Sequence, residues 1–131
     1  MSTDKKLQPL RSSRQFRVVY DRGVRFHTPF FSLFILESAE KGPRLGITVT
    51  RKVGPAVVRN RCKRRLRELA RRHTLPLFEG IGCDIVINAK TAMITAELNE
   101  IGTSFARTLR QYHETVVVKE GKAGRGGGKT E

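Results

Sequence analysis

The chain reads as an α+β domain, a small α/β sandwich with its elements in the order α-β-β-α-β-α. Three stretches carry apolar residues at helical spacing, three others cluster or alternate them as strands do, and glycine or proline punctuates the joins. With 131 residues, 38% of them hydrophobic, there is material for one modest core.

The elements follow in order. Ser12 with Gln15 three residues later makes a capping-box pattern, and Gly23 supplies a stop. The helix between them puts Phe16, Val19 and Tyr20 on one face. Phe31 to Leu36 is apolar at nearly every position and reads as a buried strand. After a turn at Lys41-Gly42-Pro43, the stretch Arg44 to Thr50 alternates, with Leu45, Ile47 and Val49 inward and Gly46, Thr48 and Thr50 outward. Arg51 to Pro55 is a basic loop in which Gly54 can cap the next helix and Pro55 can open it. That helix, about Ala56 to Arg72, carries a narrow apolar stripe of Val58, Cys62, Leu66 and Leu69. A loop over Pro76 to Gly82 leads to a buried strand from Cys83 to Ala89, and a last helix, about Ala96 to Tyr112, packs through Leu98, Ile101, Phe105 and Leu109. The domain spans residues 11–116, between a flexible segment 1–10 and a disordered, basic, glycine-rich tail 117–131.

Charge is the loudest feature. There are 26 Lys+Arg against 12 Asp+Glu, a net of +14. From Arg44 to His73, eleven basic residues meet one acid, Glu68, which concentrates +10 in a single segment. Like charges repel across adjacent helical turns, so a polyanionic partner is the usual reason to keep them together. Within it, Arg59, Lys63 and Arg67 form one helical ridge, Arg61 and Arg65 a second, and Asn60 and Arg64 share the far side. Guanidinium forks match phosphate oxygens in pairs. Asn60 has two level readings, a contact to a base edge or 2′-hydroxyl and a local brace.

Other chemistries find no support. Cys62 and Cys83 form no CxxC, and His27, His73 and His113 have no ligand spacing, so neither a disulfide scaffold nor a zinc site is expected. The acids are isolated, Asp84 and Glu68 each being placed to pair with a base, and no cluster could hold nuclease metals. No catalytic residue is assigned, and metal positions are unknown. Gly128-Lys129-Thr130 resembles the end of a P-loop, but Ala123 replaces the first glycine, so no nucleotide cofactor is expected. Arg125-Gly126-Gly127 is one weak RGG copy. No run approaches the roughly 20 apolar residues of a membrane helix, and Met-Ser-Thr-Asp-Lys-Lys precedes no apolar h-region, so the expected address is cytoplasmic and membrane-free. Two features lean toward RNA over DNA. Phe16 and Tyr20, beside the Thr48–Thr50 strand face, could stack unpaired bases, and no second helix stands at helix-turn-helix spacing.

The run from Gly46 through Arg51-Lys52-Val53-Gly54 and Ala56-Val57 to Arg59-Asn60-Arg61-Cys62-Lys63-Arg64-Arg65-Leu66-Arg67-Glu68 closely resembles the signature of the bacterial ribonuclease P protein subunit. Phe16, Tyr20 and Gly23 match that family's F-x-x-[FY]-x-x-G helix end, and the order of elements matches from Leu10 to about His113. The resemblance implies an RNA-binding subunit of a ribonucleoprotein endonuclease, a hydrolase whose catalytic RNA removes the 5′ leader of precursor tRNA with Mg²⁺; no cofactor would be bound tightly by the protein alone. It also implies a left-handed βαβ crossover, against the usual handedness. Carried over by position, Phe16, Tyr20, Thr48 and Thr50 would line the leader cleft. Arg51, Lys52, Arg59, Asn60, Arg61, Lys63, Arg64 and Arg67 would meet the catalytic RNA or its metal-bound phosphates. Pro55, Cys62 and Arg65 depart from the family pattern; Arg65, at the edge of the stripe, is not assigned a contact. A structural RNA-binding protein of ribosomal type is the alternative, and a self-sufficient nuclease is disfavoured by the missing acids.

Overall fold

A computed structural model describes residues 7–121. Five strands form one sheet: β1 (Gln8–Pro9), β2 (Val24–His27), β3 (Phe31–Glu37), β4 (Pro43–Thr48) and β5 (Cys83–Ala89). They lie in the order β1-β4-β5-β3-β2. Around them pack α1 (Ser13–Arg22), α2 (Ala56–Phe78), a short 3-10 helix (Thr91–Ile94) and α3 (Leu98–Gly121). β4 and β5 are parallel neighbours joined through α2, while β3 runs antiparallel to β5 and to β2.

Both faces of the sheet are covered, which is why β3 and β5 are apolar almost throughout. Leu33, Ile35, Leu45, Ile85 and Ile87 join Cys62, Leu66 and Leu69 of α2 and Ile101, Phe105 and Leu109 of α3 in the main core. On the opposite face, Phe34 and Val86 meet Leu10 and Val19, with Phe16, Tyr20 and Leu36 packed against them. Strand alternation sorts the residues between these layers. The expected stripes of α1 and α2 are therefore the buried ones. In α3 the expected stripe shifts: Leu98, the first residue of the helix, is 40% exposed, whereas Tyr112 further along is buried.

Two strands extend the expected order. Residues 7–10 were expected to fray, but Gln8 and Pro9 pair in parallel with Arg44 and Leu45, and the Leu10 N–H donates to the Leu45 carbonyl at 2.9 Å. Two residues show no periodicity, so only the tertiary partner reveals such a strand. β2 is an exposed edge strand in register with β3, too short and too polar on its outer side to stand out.

Four boundaries also move. β4 ends at Thr48, not Thr50. Pro55, rather than Gly54, is the N-cap of α2. Pro76 lies inside α2, although proline in a helix interior costs about 3 kcal/mol; beyond it Phe78 is fully buried against Tyr112 and His113 of α3, ring centroids 6.0 and 5.4 Å away. Gly80 then takes φ +78 and turns the chain toward β5. α3 runs on to Gly121, so residues 117–121 are helical and not tail. The expectations for residues 1–6 and for the glycine-rich segment 122–131 fall outside the described residues.

Candidate nucleic-acid interface

α1 starts as its sequence requires. The Ser12 hydroxyl accepts from the Gln15 N–H at 3.1 Å, and the Gln15 side-chain oxygen accepts from the N–H groups of Ser12 (3.0 Å) and Arg11 (2.7 Å). The Gly23 N–H closes the helix on the Val19 carbonyl at 2.8 Å. So anchored, α1 lays Phe16 over Gly46 of β4, where any Cβ would run into the ring. The glycine in the strand is the seat of the aromatic.

Beside that seat the register lines up four polar side chains across the sheet. His27 of β2 is opposite Ser32 of β3, Ser32 opposite Asn88 of β5, and Asn88 opposite Thr48 of β4. His27 Nδ1 lies 3.1 Å from the Ser32 hydroxyl. The Tyr20 hydroxyl donates to Asn88 Oδ1 at 2.8 Å and stands 3.5 Å from Thr48 Oγ1. Its ring meets Phe34 edge-on at 4.9 Å, and the Arg25 guanidinium lies 5.6 Å over the same Phe34 ring. Lys90, just after β5, donates to the Thr28 carbonyl at 2.7 Å. Half-exposed aromatic rings beside fixed donors and acceptors suit unpaired bases, which stack on the former and hydrogen-bond to the latter.

Phe16, Tyr20 and Thr48 thus meet in one cleft. Thr50 does not join them: it is exposed beyond the end of β4, and its carbonyl accepts from the Val53 N–H at 3.0 Å in the turn that presents Arg51 and Lys52. Asn88, Ser32, His27 and Lys90 belong to the cleft but carry no motif in the sequence. Only the strand registers gather them.

From this turn α2 departs. Arg59 Nε donates to the Gly54 carbonyl at 3.1 Å, which fixes that side chain at the head of the helix. Asn60, Arg61, Arg64 and Arg67 are exposed, and Lys63 is half-buried. Asn60 is exposed and makes no side-chain hydrogen bond with a described residue. None of Arg59, Arg61, Lys63, Arg64 or Arg67 forms an ion pair with a described residue. The acid Glu68 is taken instead by Arg71 at 2.6 Å and Arg72 at 3.6 Å. Arg65, half-buried, flanks Cys62, whose thiol is raised by burial against the lowering pull of Arg65 and Arg61.

Arg44 is basic for a different reason. Its Nε and Nη2 hold both oxygens of Asp84 at 2.8 and 2.7 Å, a bidentate pair on neighbouring strands in direct register. The hydrogen bond to Asp84 raises the Arg44 pKa further. Cys83 is fully buried and its thiol is pushed up to about 12, chiefly by burial, so it is no nucleophile. Among the described residues, no three His, Cys, Asp or Glu side chains come together. No described helix is long and apolar enough to cross a membrane.

Half-exposed aromatic rings beside a polar row, next to arginines with no ion-pair partner and no clustered carboxylates among the described residues, make this an α+β domain with the chemistry of a nucleic-acid-binding protein. The comparisons with known proteins narrow the class. The family model for ribonuclease P matches residues 5–113. The ribonuclease P protein component of Finegoldia magna is 41% identical over 66% of this chain and 75% of its own length, and that of Desulfovibrio desulfuricans is 41% identical over 76% and 84%. Among solved structures, the Staphylococcus aureus RNase P protein superposes with a TM-score of 0.71 at 25% identity, covering 82% of this chain and 96% of its own. The Thermotoga maritima RNase P protein does so with 0.70 at 25%, covering 79% and 96%. The chain belongs to the ribonuclease P protein family.

Proposed function

We propose that this subunit of ribonuclease P holds the 5′ leader of precursor tRNA in the α1 cleft while the rim of α2 grips the catalytic RNA. The observation that carries the reading is the continuity of the two surfaces. The Thr48–Asn88–Tyr20 row ends where the Thr50–Gly54 turn begins, and that turn hands over to Arg59 and Asn60. A single strand lying on the cleft therefore leaves it beside the arginines that would bind the partner RNA.

In this reading the protein binds and orients, and the RNA performs the cleavage. Among the described residues no cluster of His, Cys, Asp or Glu offers Mg²⁺ a ligand set. The Mg²⁺ of the holoenzyme would belong to the RNA. The cytoplasm, where tRNA precursors are processed in bacteria, is the compartment this function calls for.

The test is cleavage of a precursor tRNA at low Mg²⁺ by bacterial ribonuclease P RNA, with and without the protein. Stoichiometric rescue, with no cleavage by protein alone, is the expected result. Tight RNA binding without rescue would make the chain a structural RNA-binding protein. In the same assay Phe16→Ala should weaken binding of precursor tRNA more than of mature tRNA, and equal loss for both would remove the leader from the cleft.

A further inference from the structure

On the sheet face opposite the cleft, α2 and α3 leave a groove of about 420 Å³ between them. It is lined by Arg72 and His73 from α2 and by Asn99, Thr103, Arg107 and Arg110 from α3, over an apolar floor that includes Leu69 and Gly102. The glycine sets its depth: a Cβ at Gly102 would lie 3.3 Å from Leu69 Cδ2 and 3.8 Å from His73 Nε2. The His73 ring, stacked on Phe105 with centroids 6.3 Å apart, thus points its Nε2 into the groove.

The balance of charge there is one-sided. Three guanidiniums converge and no carboxylate lines the walls. Arg107 and Arg110 make no ion pair with a described residue, and Arg72 reaches Glu68 only at 3.6 Å, behind the shorter Arg71 bond. Burial, then Arg72 and Arg110, hold the His73 pKa below its ordinary value of 6.5, so the arginines' field reaches into the groove. Such convergence costs stability in the free protein and is relieved by an anion.

We propose that this groove is a second RNA-binding surface, taking backbone phosphates of the folded RNA partner through Arg72, Arg107 and Arg110. Its chemistry favours phosphate over bases: the guanidiniums match phosphate oxygens, whereas no phenylalanine or tyrosine lines the groove to stack a base. Its position favours a folded RNA over the leader. Arg72 lies about 18 Å along α2 from Asn60 of the rim, at 1.5 Å of rise per residue, and the sheet stands between the groove and the cleft. A single RNA surface could therefore engage α2 at both ends, which would fix the helix in orientation as well as in place.

The inference rests on the chain being the RNA-bound subunit of ribonuclease P. Binding to ribonuclease P RNA should be measured across a salt series for the full-length protein, for the double variant Arg107→Ala/Arg110→Ala, and for Thr103→Glu, which puts a carboxylate in the groove and keeps every arginine. The double variant should lose roughly tenfold in affinity and shed up to about two units of the log–log salt slope, while its preference for precursor over mature tRNA stays unchanged. Thr103→Glu should weaken binding in the same direction with its melting temperature intact. Wild-type affinity and slope in both variants would overturn the groove alone; failure of the unaltered protein to bind the RNA would overturn the subunit reading as well.

Discussion

In the α1 cleft the polar side chains already hold one another: Tyr20 grips Asn88, His27 meets Ser32, and Phe16 rests on Gly46. Along the α2 rim the reverse is true, since Asn60, Arg61, Arg64 and Arg67 reach solvent with no ion-pair partner among the described residues. The cleft is preorganised by bonds that also hold the fold, so its rings and hydroxyls present a fixed shape. Asn60, Arg61, Arg64 and Arg67 stand on a helix anchored by its buried Cys62, Leu66 and Leu69, which leaves these side chains conformationally free. Substitutions should therefore damage folding on one side and binding on the other.

Arg44→Ala should have the largest effect and sharpens the contrast, since Arg44 belongs to the basic segment but is anchored like the cleft. Stranding the Asp84 carboxylate, whose side chain is only 9% exposed, should cost about 3 kcal/mol in a urea titration. A loss no greater than that of an exposed arginine would break the distinction.

Arg64→Ala should lower affinity for ribonuclease P RNA about tenfold while shifting stability by less than about 0.5 kcal/mol. A large fall in melting temperature would mean that the rim is structural after all. Tyr20→Phe comes next. It removes the 2.8 Å bond to Asn88 and leaves that amide short of a partner, which should cost about 1 kcal/mol by denaturation.

The smallest effect concerns pH. Folding favours the neutral form of His73, because burial and two arginines depress its pKa. Its contribution is present above the unfolded value of 6.5 and is lost as pH falls through the lower native one. Stability followed from pH 7.5 to 5 should therefore decline less steeply in His73→Gln than in the unaltered protein. Parallel curves would show that neither burial nor the two arginines depresses the imidazole in the folded protein.

Much of this was open to reading along the chain. The capping box, the strand alternation of β4 and the stripe of α2 are local patterns, set by residues within a few positions of one another, and each appears in the fold. The basic segment and its signature likewise lie in contiguous sequence. What escaped was non-local or offset by packing. β1 exists because Gln8 and Pro9 find Arg44 and Leu45 more than thirty residues away. Pro76 is tolerated because Phe78 is buried beyond it.

By itself, then, the order of residues determined the three long helices and the three longer strands, the placement of charge and the kinship with ribonuclease P proteins, since periodicity and composition are properties of neighbours in the chain. Only the tertiary structure decided which of the charges are free. Arg44 and Arg64 are the same side chain in the same basic stretch. One is locked to Asp84 by the register of β4 on β5, and the other is exposed on a helix and forms no ion pair with a described residue, Glu68 being taken by Arg71 and Arg72. The same registers assembled His27, Ser32, Asn88 and Thr48 into one row. Hydrogen-bonded strands bring together residues that sequence distance keeps apart.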